Sequence, residues 1–407
     1  MPGWLSRESP VVNLGVDFCG IRFKNPFILA ASPSTDNREM TARGLERGWA
    51  GAVLKTTSLE SEEVSITYPI MSGIHPGQGL VGLHNTDLLS ERHIHEVAKD
   101  IAWLKSRFPE KRIIASLMGS TREEWHELVG ISEQAGADMI EASISCPQGA
   151  ELEGELTLGW MVSQDQHLTE KVTSWVVEGK RRAPVYVKLS PSVTDIVSIG
   201  KAVEQGGGDG ICAIDCLEGI GGIDLGTLSP LPSVQGKGTR GGFSGRAIKP
   251  IGLRIVADLA GGVKIPISGV GGIYDWRDAL EYLLLGATTV QVCTAVLQRG
   301  FGVIDPLLDG LSRWLEDHNY DSPAEVVGLA LAQLTEHGEL THGVKVISSI
   351  DLDLCIGCGL CYVACADGGH MAIEFPADRR PLVQEGLCVG CGLCAQVCPV
   401  PDCIKII

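Results

Sequence analysis

Short apolar runs alternate with longer segments of helical period between residues 20 and 305. The longer segments repeat apolar residues every three or four positions and carry charges between them, as in 91–108, 121–135, 194–205 and 276–285. Eight apolar runs are predicted as strands: 27–32, 52–57, 113–118, 139–146, 185–189, 210–216, 265–270 and 289–294. Eight β–α units predict a (β/α)8 TIM barrel, with its site at the carboxyl ends of the strands. A doubly wound open sheet is the alternative.

Two cysteine runs of identical spacing follow near the end of the chain, each written Cys-x2-Cys-x2-Cys-x3-Cys, and Pro399 follows the second. This spacing is typical of ferredoxins with two cubane clusters, in which the fourth cysteine of each run binds the other cluster. One [4Fe-4S] cluster is therefore expected on Cys355, Cys358, Cys361 and Cys398, and the other on Cys388, Cys391, Cys394 and Cys365. Zinc knuckles and a disulfide knot are the alternatives, and zinc sites favour two CxxC pairs on a longer arm. Cys403 lies outside both runs and is expected in the core.

A length of 407 residues exceeds what a ferredoxin needs and suits one large domain with a small one. We predict the barrel over 1–306, a helical connector over 307–345 and an α+β bacterial-ferredoxin-like domain over 346–407. No apolar run approaches the ~20 residues of a membrane span, and thiolate clusters need a reducing compartment, so a cytoplasmic location is expected. A net charge of -17 argues against nucleic acid as a partner.

Glycine-rich stretches give a weaker signal. No dinucleotide fingerprint follows an early strand, so the chain is not expected to bind NAD itself. Gly271 and Gly272 stand at the end of the seventh predicted strand, and Cys293 and Thr294 at the end of the eighth. In a barrel this pair of strand ends cradles a phosphate on backbone N–H groups. The phosphate would belong to a substrate or to FMN.

Several motifs occur in the order found in one enzyme family: Asn25-Pro26-Phe27, Leu54-Lys55-Thr56, Ser145-Cys146-Pro147, Val187-Lys188-Leu189-Ser190-Pro191, Ser244-Gly245 and Gly271-Gly272-Ile273. With them the chain resembles the dihydroorotate dehydrogenase-like FMN barrels. Joined to a C-terminal double cluster, it resembles the PreA-type catalytic subunits of bacterial dihydropyrimidine dehydrogenases.

The resemblance implies an FMN site made of Ala31, Ser32, Lys55, Thr56, Asn85, Lys188, Ser244, Gly245, Gly271, Gly272, Cys293 and Thr294. It also implies that Cys146 gives a proton to one carbon of a C=C bond while FMN delivers hydride to the other, with both steps reversed for oxidation. The substrate would be held by Asn85, Ser143, Asp215 and Cys216. Without the flanking motifs, Lys55 and Lys188 would be read as salt-bridged lysines at strand ends, and Cys146 as a buried strand residue.

The substrate positions depart from the family pattern. Ser143 stands where the pattern has Asn, and Asp215-Cys216 stand where it has Asn-Thr. An ionised carboxylate only accepts hydrogen bonds, so Asp215 would not donate to a pyrimidine carbonyl. An unmatched polar group in a closed site costs ~1–3 kcal/mol. The substrate is therefore either a pyrimidine or a ring with amino or cationic groups from which Asp215 could accept hydrogen bonds.

The expected function is a flavin and iron–sulfur oxidoreductase acting on a C=C bond of a small cyclic substrate. An FAD- and NAD(P)-binding flavoprotein subunit (PreT-like) would supply its electrons in a hetero-oligomer. The alternatives are a related ene-reductase or dehydrogenase on a non-pyrimidine substrate, or an electron-transfer subunit without catalysis of its own.

Overall fold

The computed structural model describes residues 12–59, 66–75, 79–87, 89–145, 149–152 and 155–407, with the backbone alone for 149–152 and 155–160. The chain divides into two compact units between Leu334 and Thr335, inside the predicted connector. Within the described residues, no helix is both long enough and apolar enough to cross a membrane.

A closed parallel barrel forms the first unit, and its strands neighbour one another in chain order. We number them β1 to β8: Phe27–Leu29, Gly51–Val53, Arg112–Leu117, Met139–Ser143, Val185–Leu189, Gly210–Ala213, Ile267–Val270 and Ala287–Val292. Each overlaps one predicted run, so the predicted barrel is confirmed and the open sheet is wrong. Most strands end before the predicted runs do, because the last residues leave the ladder and enter the loops of the site.

Helices surround the barrel, and the longer ones bury an apolar face. They span Arg38–Glu46, Ile94–Arg107, Arg122–Ala135, Gly159–Val162, Gln166–Gly179, Ile196–Gln205, Lys249–Gly262, Trp276–Leu284, Thr294–Arg299 and Ile304–Asp317. The helix Arg122–Ala135 shows why the boundaries fall where they do. Thr121 and Glu124 form a capping box at its start, and Gly136 ends it in the left-handed conformation with φ of 100°. Trp125 and Leu128 on its inner face are fully buried.

Two inserted sheets cover the ends of the barrel. At the amino ends of the strands lies the hairpin Val16–Phe18 and Ile21–Phe23. At the other end lies a four-stranded antiparallel sheet of Met71–Ile74, Gly82–Asn85, Leu217–Gly219 and Gly241–Ser244. Smaller hairpins pair Gly149–Leu152 with Glu155–Leu158 and Ile223–Asp224 with Ser229–Pro230. The four-stranded sheet matters most here, because it carries Asn85 to the carboxyl ends of the barrel strands.

The second unit is a small α+β fold. Its strands pair Ser348–Ile350 with Ile404–Ile406 and Ile373–Glu374 with Leu382–Val383, and its helices are Leu360–Gly368 and Leu393–Val397. The predicted helical connector, 307–345, begins inside the helix Ile304–Asp317, and beyond that helix it contains 3-10 turns at Pro323–Val326, Leu331–Gln333 and His337–Glu339.

Candidate active site

A cavity of about 70 Å³ lies at the carboxyl ends of the barrel strands. Eight residues that the sequence predicts for cofactor binding line it: Ala31, Lys188, Ser244, Gly245, Gly271, Gly272, Cys293 and Thr294. Asp215 and Cys216, predicted for the substrate, line it as well. The closed barrel thus brings together residues from β1, β5, β6, β7 and β8 that lie far apart in the sequence.

Glycines form one wall of this cavity and let backbone approach backbone. Gly245, Gly271 and Gly272 all have positive φ, at 108°, 125° and 69°. A Cβ atom at Gly272 would lie 2.7 Å from the Cβ of Lys249 and 3.0 Å from the carbonyl oxygen of Gly245. Only glycine suits such a position, which leaves main-chain groups open to a ligand. These residues fit the phosphate end of FMN, whose charge is held by backbone N–H groups in sites of this kind.

Lys188 lies at the end of β5 and is 7% exposed. Burial lowers the pKa of its ammonium group, but the carboxylates of Asp215 and Glu141 outweigh burial and hold the pKa well above its ordinary value. Among the described residues its ammonium group has no direct ion pair or hydrogen bond. A charged lysine without a direct partner in a cofactor cavity is suited to a ligand that acquires negative charge, as a reduced flavin does.

Lys55, at the end of β2, differs from Lys188 because it forms a direct ion pair. Its Nζ atom lies 2.9 Å from Oδ1 of Asp87, and both side chains are nearly buried. Its neighbour Thr56 is hydrogen-bonded through Oγ1 to Oγ of Ser116 at 2.8 Å. The alternative interpretation of Lys55 as a salt-bridged lysine therefore describes its contact in the protein, and a role toward FMN stays a prediction.

A polar network lies inside the barrel beside Lys188. Glu141, on β4, is completely buried, and its carboxylate accepts hydrogen bonds from Oγ of Ser116 at 3.0 Å and Nε2 of Gln291 at 3.4 Å. Nε2 of Gln291 also lies 3.4 Å from the hydroxyl of Tyr186. A buried carboxylate is stable only when it is paired or hydrogen-bonded, so this network keeps a negative charge close to Lys188.

A larger cavity of about 620 Å³ adjoins the first, since Asp215 and Cys216 line both. Its wall includes Asn85, Ser145 and several charged side chains of both signs: Asp87, Glu218, Lys237 and Arg240. The smaller cavity is lined mainly by strand ends, and the larger mainly by loops and the four-stranded sheet. This division suits a cofactor in the smaller cavity and a substrate in the larger one.

Asp215 occupies the junction of the two cavities. Its Oδ1 accepts a hydrogen bond of 2.8 Å from the backbone N–H of Cys216, and its Oδ2 accepts one from the hydroxyl of Ser145. Burial and the adjacent Asp215 carboxylate raise the pKa of the Cys216 thiol. The Nδ2 atom of Asn85 donates to the carbonyl of Gly242 at 3.0 Å. Asp215 is thus oriented by two donors and keeps accepting capacity toward the cavities.

The remaining predicted residues lie in different layers. Ser143 is buried and stands beside Lys188 in the register of β4 and β5. Ser32 caps the 3-10 turn Pro33–Thr35, and its side chain interacts with Cys293, whose pKa is raised by burial to about 11. Cys146, the predicted proton donor, lies outside the described residues. Its role therefore stays a prediction.

In the second unit, a cavity of about 10 Å³ is lined by the four cysteines predicted for one cluster: Cys355, Cys358, Cys361 and Cys398. Cys398 comes from the second run, as cross-ligation requires. Cys403 lines the same cavity and belongs to the buried core, where its thiol contacts the carbonyl of Asp351 at 3.5 Å. Four cysteines grouped by their spacing in the sequence thus also line one cavity in the fold.

The second predicted set is supported by donors to its sulfur atoms. The backbone N–H groups of Ser348 and Ala372 donate to the sulfurs of Cys388 and Cys365, at 3.4 and 3.3 Å. Oγ of Ser348 lies 3.0 Å from the sulfur of Cys394. Such hydrogen bonds stabilise thiolate charge and tune the potential of a cluster. The cysteines therefore fit two [4Fe-4S] clusters, which supply one-electron transfer.

Sequence reasoning missed several residues of the site. Asp87 could have been noticed as an acidic residue two positions after Asn85, but its partner Lys55 lies 32 residues away. The surroundings of Glu141 give no sequence signal, since their members come from strands β3, β5 and β8. Arg240 and Lys237 lie in a loop with no recognisable motif.

Comparison with known proteins gives the same two-part division. Residues 13–315 match the dihydroorotate dehydrogenase family, and residues 348–406 match the 4Fe-4S dicluster domain family. The NAD-dependent dihydropyrimidine dehydrogenase subunit PreA of Escherichia coli is 39% identical over 97% of this chain and 95% of its own length. The chloroplastic dihydropyrimidine dehydrogenase (NADP(+)) of Arabidopsis thaliana is 33% identical over 82% of this chain and 80% of its own length. The catalytic subunit of dihydroorotate dehydrogenase B (NAD(+)) of Pyrococcus abyssi is 35% identical over 78% of this chain and 99% of its own length.

These matches confirm the resemblance that the motifs indicated, the two-part fold and the predicted cofactors. FMN belongs to the barrel, and two [4Fe-4S] clusters belong to the dicluster domain. The protein is accordingly a flavin and iron–sulfur oxidoreductase. The chain belongs to the dihydroorotate dehydrogenase family, among the members whose barrel is joined to a 4Fe-4S dicluster domain.

Proposed function

We propose that this chain is the catalytic subunit of a dihydropyrimidine dehydrogenase-type enzyme that interconverts the C=C and CH–CH forms of a small cyclic substrate. One observation carries the proposal. Asp215 and Cys216 line both the glycine-walled cavity that fits FMN and the larger cavity next to it. A cofactor site that opens directly into a substrate-sized space is what an enzyme needs and a simple electron relay does not.

When bound, FMN supplies hydride chemistry. The chain's own residues orient the substrate, provide the proton and balance charge. Cys146, which directly follows Ser145, is proposed to exchange a proton with one carbon of the C=C bond, while hydride transfer takes place at the other. A thiol of ordinary pKa near 8.5 is a competent acid for this step. Lys188 is proposed to stabilise negative charge on the cofactor. Asn85 and Asp215 would fix the ring from two sides of the larger cavity.

Electrons are proposed to pass between the [4Fe-4S] clusters and a separate flavoprotein subunit that binds FAD and NAD(P)H, of PreT type, in a hetero-oligomer. The absence of a dinucleotide fingerprint in the sequence and the subunit status of the E. coli relative both support this partner. The reducing environment that thiolate clusters need supports a cytoplasmic location.

The substrate is proposed to offer a hydrogen-bond donor where Asp215 lies. The carboxylate of Asp215 receives two hydrogen bonds from Ser145 and Cys216 and still has free lone pairs, but it has no proton to give when ionised. A ring N–H or an exocyclic amino group satisfies it, whereas a ring carbonyl does not.

The test starts with the purified full chain, assayed for flavin and iron under anaerobic conditions. FMN and about eight irons per chain are expected. After chemical reduction, uracil, thymine and amino-substituted pyrimidines are added in turn, and flavin absorbance reports reoxidation. Reoxidation by an amino-substituted ring faster than by uracil supports the proposal. If no unsaturated ring reoxidises the flavin, the chain is an electron-transfer subunit.

NADH or NADPH alone should not reduce the isolated chain, and rapid reduction would contradict the need for a partner.

A further inference from the structure

Two arginines flank one tyrosine beside the glycine wall of the smaller cavity. The guanidinium carbon of Arg246 lies 4.7 Å from the ring centroid of Tyr274, and that of Arg299 lies 5.2 Å from it. Arg246 directly follows Gly245, and Arg299 ends the helix that begins at Thr294. Both Gly245 and Thr294 line the cavity together with Tyr274. Three segments that are separate in the sequence therefore bring two positive charges to the phosphate end of the proposed FMN site.

The hydroxyl of Tyr274 lies beside the same cavity wall. Tyr274 is 4% exposed, and its hydroxyl is buried without a hydrogen-bond partner among the described residues. The backbone N–H of Arg246 lies near this oxygen but lacks hydrogen-bond geometry. A Cβ atom at Gly245 would lie 3.3 Å from the same oxygen. An unsatisfied buried hydroxyl costs ~1–3 kcal/mol unless a ligand completes its bonding.

Both arginines are exposed residues. Neither guanidinium forms an ion pair with a carboxylate of the described residues. The sequence has 50 acidic residues against 33 lysines and arginines, and other surface arginines form ion pairs with them. Arg254, for example, pairs with Asp258 at 2.7 Å. Two like charges on one ring without a counter-ion are a favourable site for an anion of charge two.

We propose that Arg246, Arg299 and the Tyr274 hydroxyl form a clamp for the phosphate of FMN, which completes the glycine wall and selects FMN over riboflavin. The clamp rests on FMN as the cofactor of the barrel. It adds side-chain charge to a phosphate site otherwise built from backbone N–H groups. The guanidinium groups would donate paired hydrogen bonds to phosphate oxygens, and the tyrosine would donate one more.

The experiment measures flavin affinity, not turnover. The full chain is stripped of flavin and titrated with FMN and, in parallel, with riboflavin, using the quenching of flavin fluorescence. Variants are Arg246→Ala, Arg299→Ala, the double variant and Tyr274→Phe, with Arg254→Ala as a matched control of an exposed arginine away from the cavity. Thermal unfolding of each variant checks that it is folded.

Each single arginine variant should weaken FMN binding about tenfold, from the strength of hydrogen bonds to charged groups, and the double variant about a hundredfold. Riboflavin affinity should stay within about twofold, because riboflavin lacks the phosphate. Tyr274→Phe keeps the ring that the arginines pack on and removes only the hydroxyl, so it should weaken FMN about threefold to tenfold. Arg254→Ala should change neither flavin.

Solution conditions give an independent readout. The second pKa of a phosphate monoester is near ~6, so FMN should bind the unmodified chain more tightly as pH rises from about 5.5 to 7.5. The double variant should lose most of this dependence, and riboflavin should show none. Added salt should weaken FMN binding more in the unmodified chain than in the double variant.

Three outcomes would overturn the clamp. Equal losses for FMN and riboflavin would mean that the arginines only support the fold. Unchanged FMN affinity in the double variant would mean that the phosphate lies elsewhere. If the unmodified chain binds neither flavin, the cofactor assignment of the proposed function fails together with the clamp, whereas the first two outcomes leave that function intact.

Discussion

The two cofactor-binding units of this chain are built by opposite means. In the dicluster unit, all eight predicted ligands lie between Cys355 and Cys398, and one set of four already lines a common cavity. In the barrel, the cofactor cavity is lined by residues from Ala30 to Ala295, which meet only when the eight strands close. The first site is therefore set by spacing along the chain, and the second by the fold as a whole. A substitution at a cluster ligand should therefore affect only the dicluster unit. The effect of a substitution in the barrel site should depend on which of its two cavities the residue lines.

The barrel site itself has two layers. Glycines, buried polar groups and Lys188 surround the smaller cavity, whereas loops with charges of both signs surround the larger one. Strand ends are held by the barrel ladder and tolerate little change. Loops are free to vary without loss of the fold. Cofactor chemistry should thus be retained in variants that alter substrate choice.

The largest effect is expected from Cys146→Ala. The variant should lose substrate turnover by at least ~100-fold, because general acids contribute about that much or more, while the clusters still reduce the flavin. Stopped-flow absorbance separates flavin reduction from reoxidation by substrate. Cys19→Ala, which removes a thiol near the amino ends of the strands, is the control and should keep normal turnover. Normal turnover by the Cys146 variant would show that another group moves the proton.

Next in size is the loss of one cluster. Cys361→Ala removes a predicted ligand, so iron should fall from about eight toward about four per chain, while FMN stays bound to the barrel. Cys403→Ala is a demanding control, because Cys403 lines the same cavity but lies outside the ligand set. Its iron content should remain near eight. Equal iron loss in both variants would mean that the spacing does not identify the ligands.

A smaller effect separates the two lysines. Lys188→Met removes a charge that has no direct partner among the described residues, so the FMN reduction potential should fall by about 30–90 mV, from a charge interaction of a few kcal/mol in a partly screened site. The double variant Lys55→Met with Asp87→Asn removes an ion pair and no net charge, so its shift should stay below about 30 mV. Potentiometric titration of the flavin measures both. Similar shifts would mean that the pairing of Lys55 does not distinguish the two residues.

The barrel strands could be predicted from the sequence, and a candidate set of cluster ligands could be proposed from it, because each leaves a local pattern along the chain. Barrel strands are buried on both sides and appear as apolar runs, and cluster ligands follow a short fixed spacing. The partners of buried charges could not be predicted. Asp87 reaches Lys55 only through an inserted sheet, and Glu141 meets Gln291 only because the barrel closes. The pair of Arg246 and Arg299 likewise depends on two helical segments, distant in the sequence, that meet at Tyr274.

The smallest effect concerns substrate choice in the larger cavity. If Ser143, Asp215 and Cys216 have changed specificity, then Ser143→Asn, Asp215→Asn and Cys216→Thr together should raise activity on uracil. The contacts of Asp215 make the exchange feasible, because an asparagine oxygen can still accept from the Cys216 N–H or the Ser145 hydroxyl while its amide group gains a donor. Each restored hydrogen bond is worth ~0.5–1.5 kcal/mol, or about threefold to tenfold in kcat/KM. Asp215→Asn alone should give part of the gain and should weaken activity on amino-substituted rings, since these lose their acceptor. Steady-state assays with the partner subunit, on uracil and on an amino-substituted ring, measure the two changes together. Efficient use of uracil by the unmodified protein would show instead that water or another side chain, such as Asn85, already supplies the missing donor.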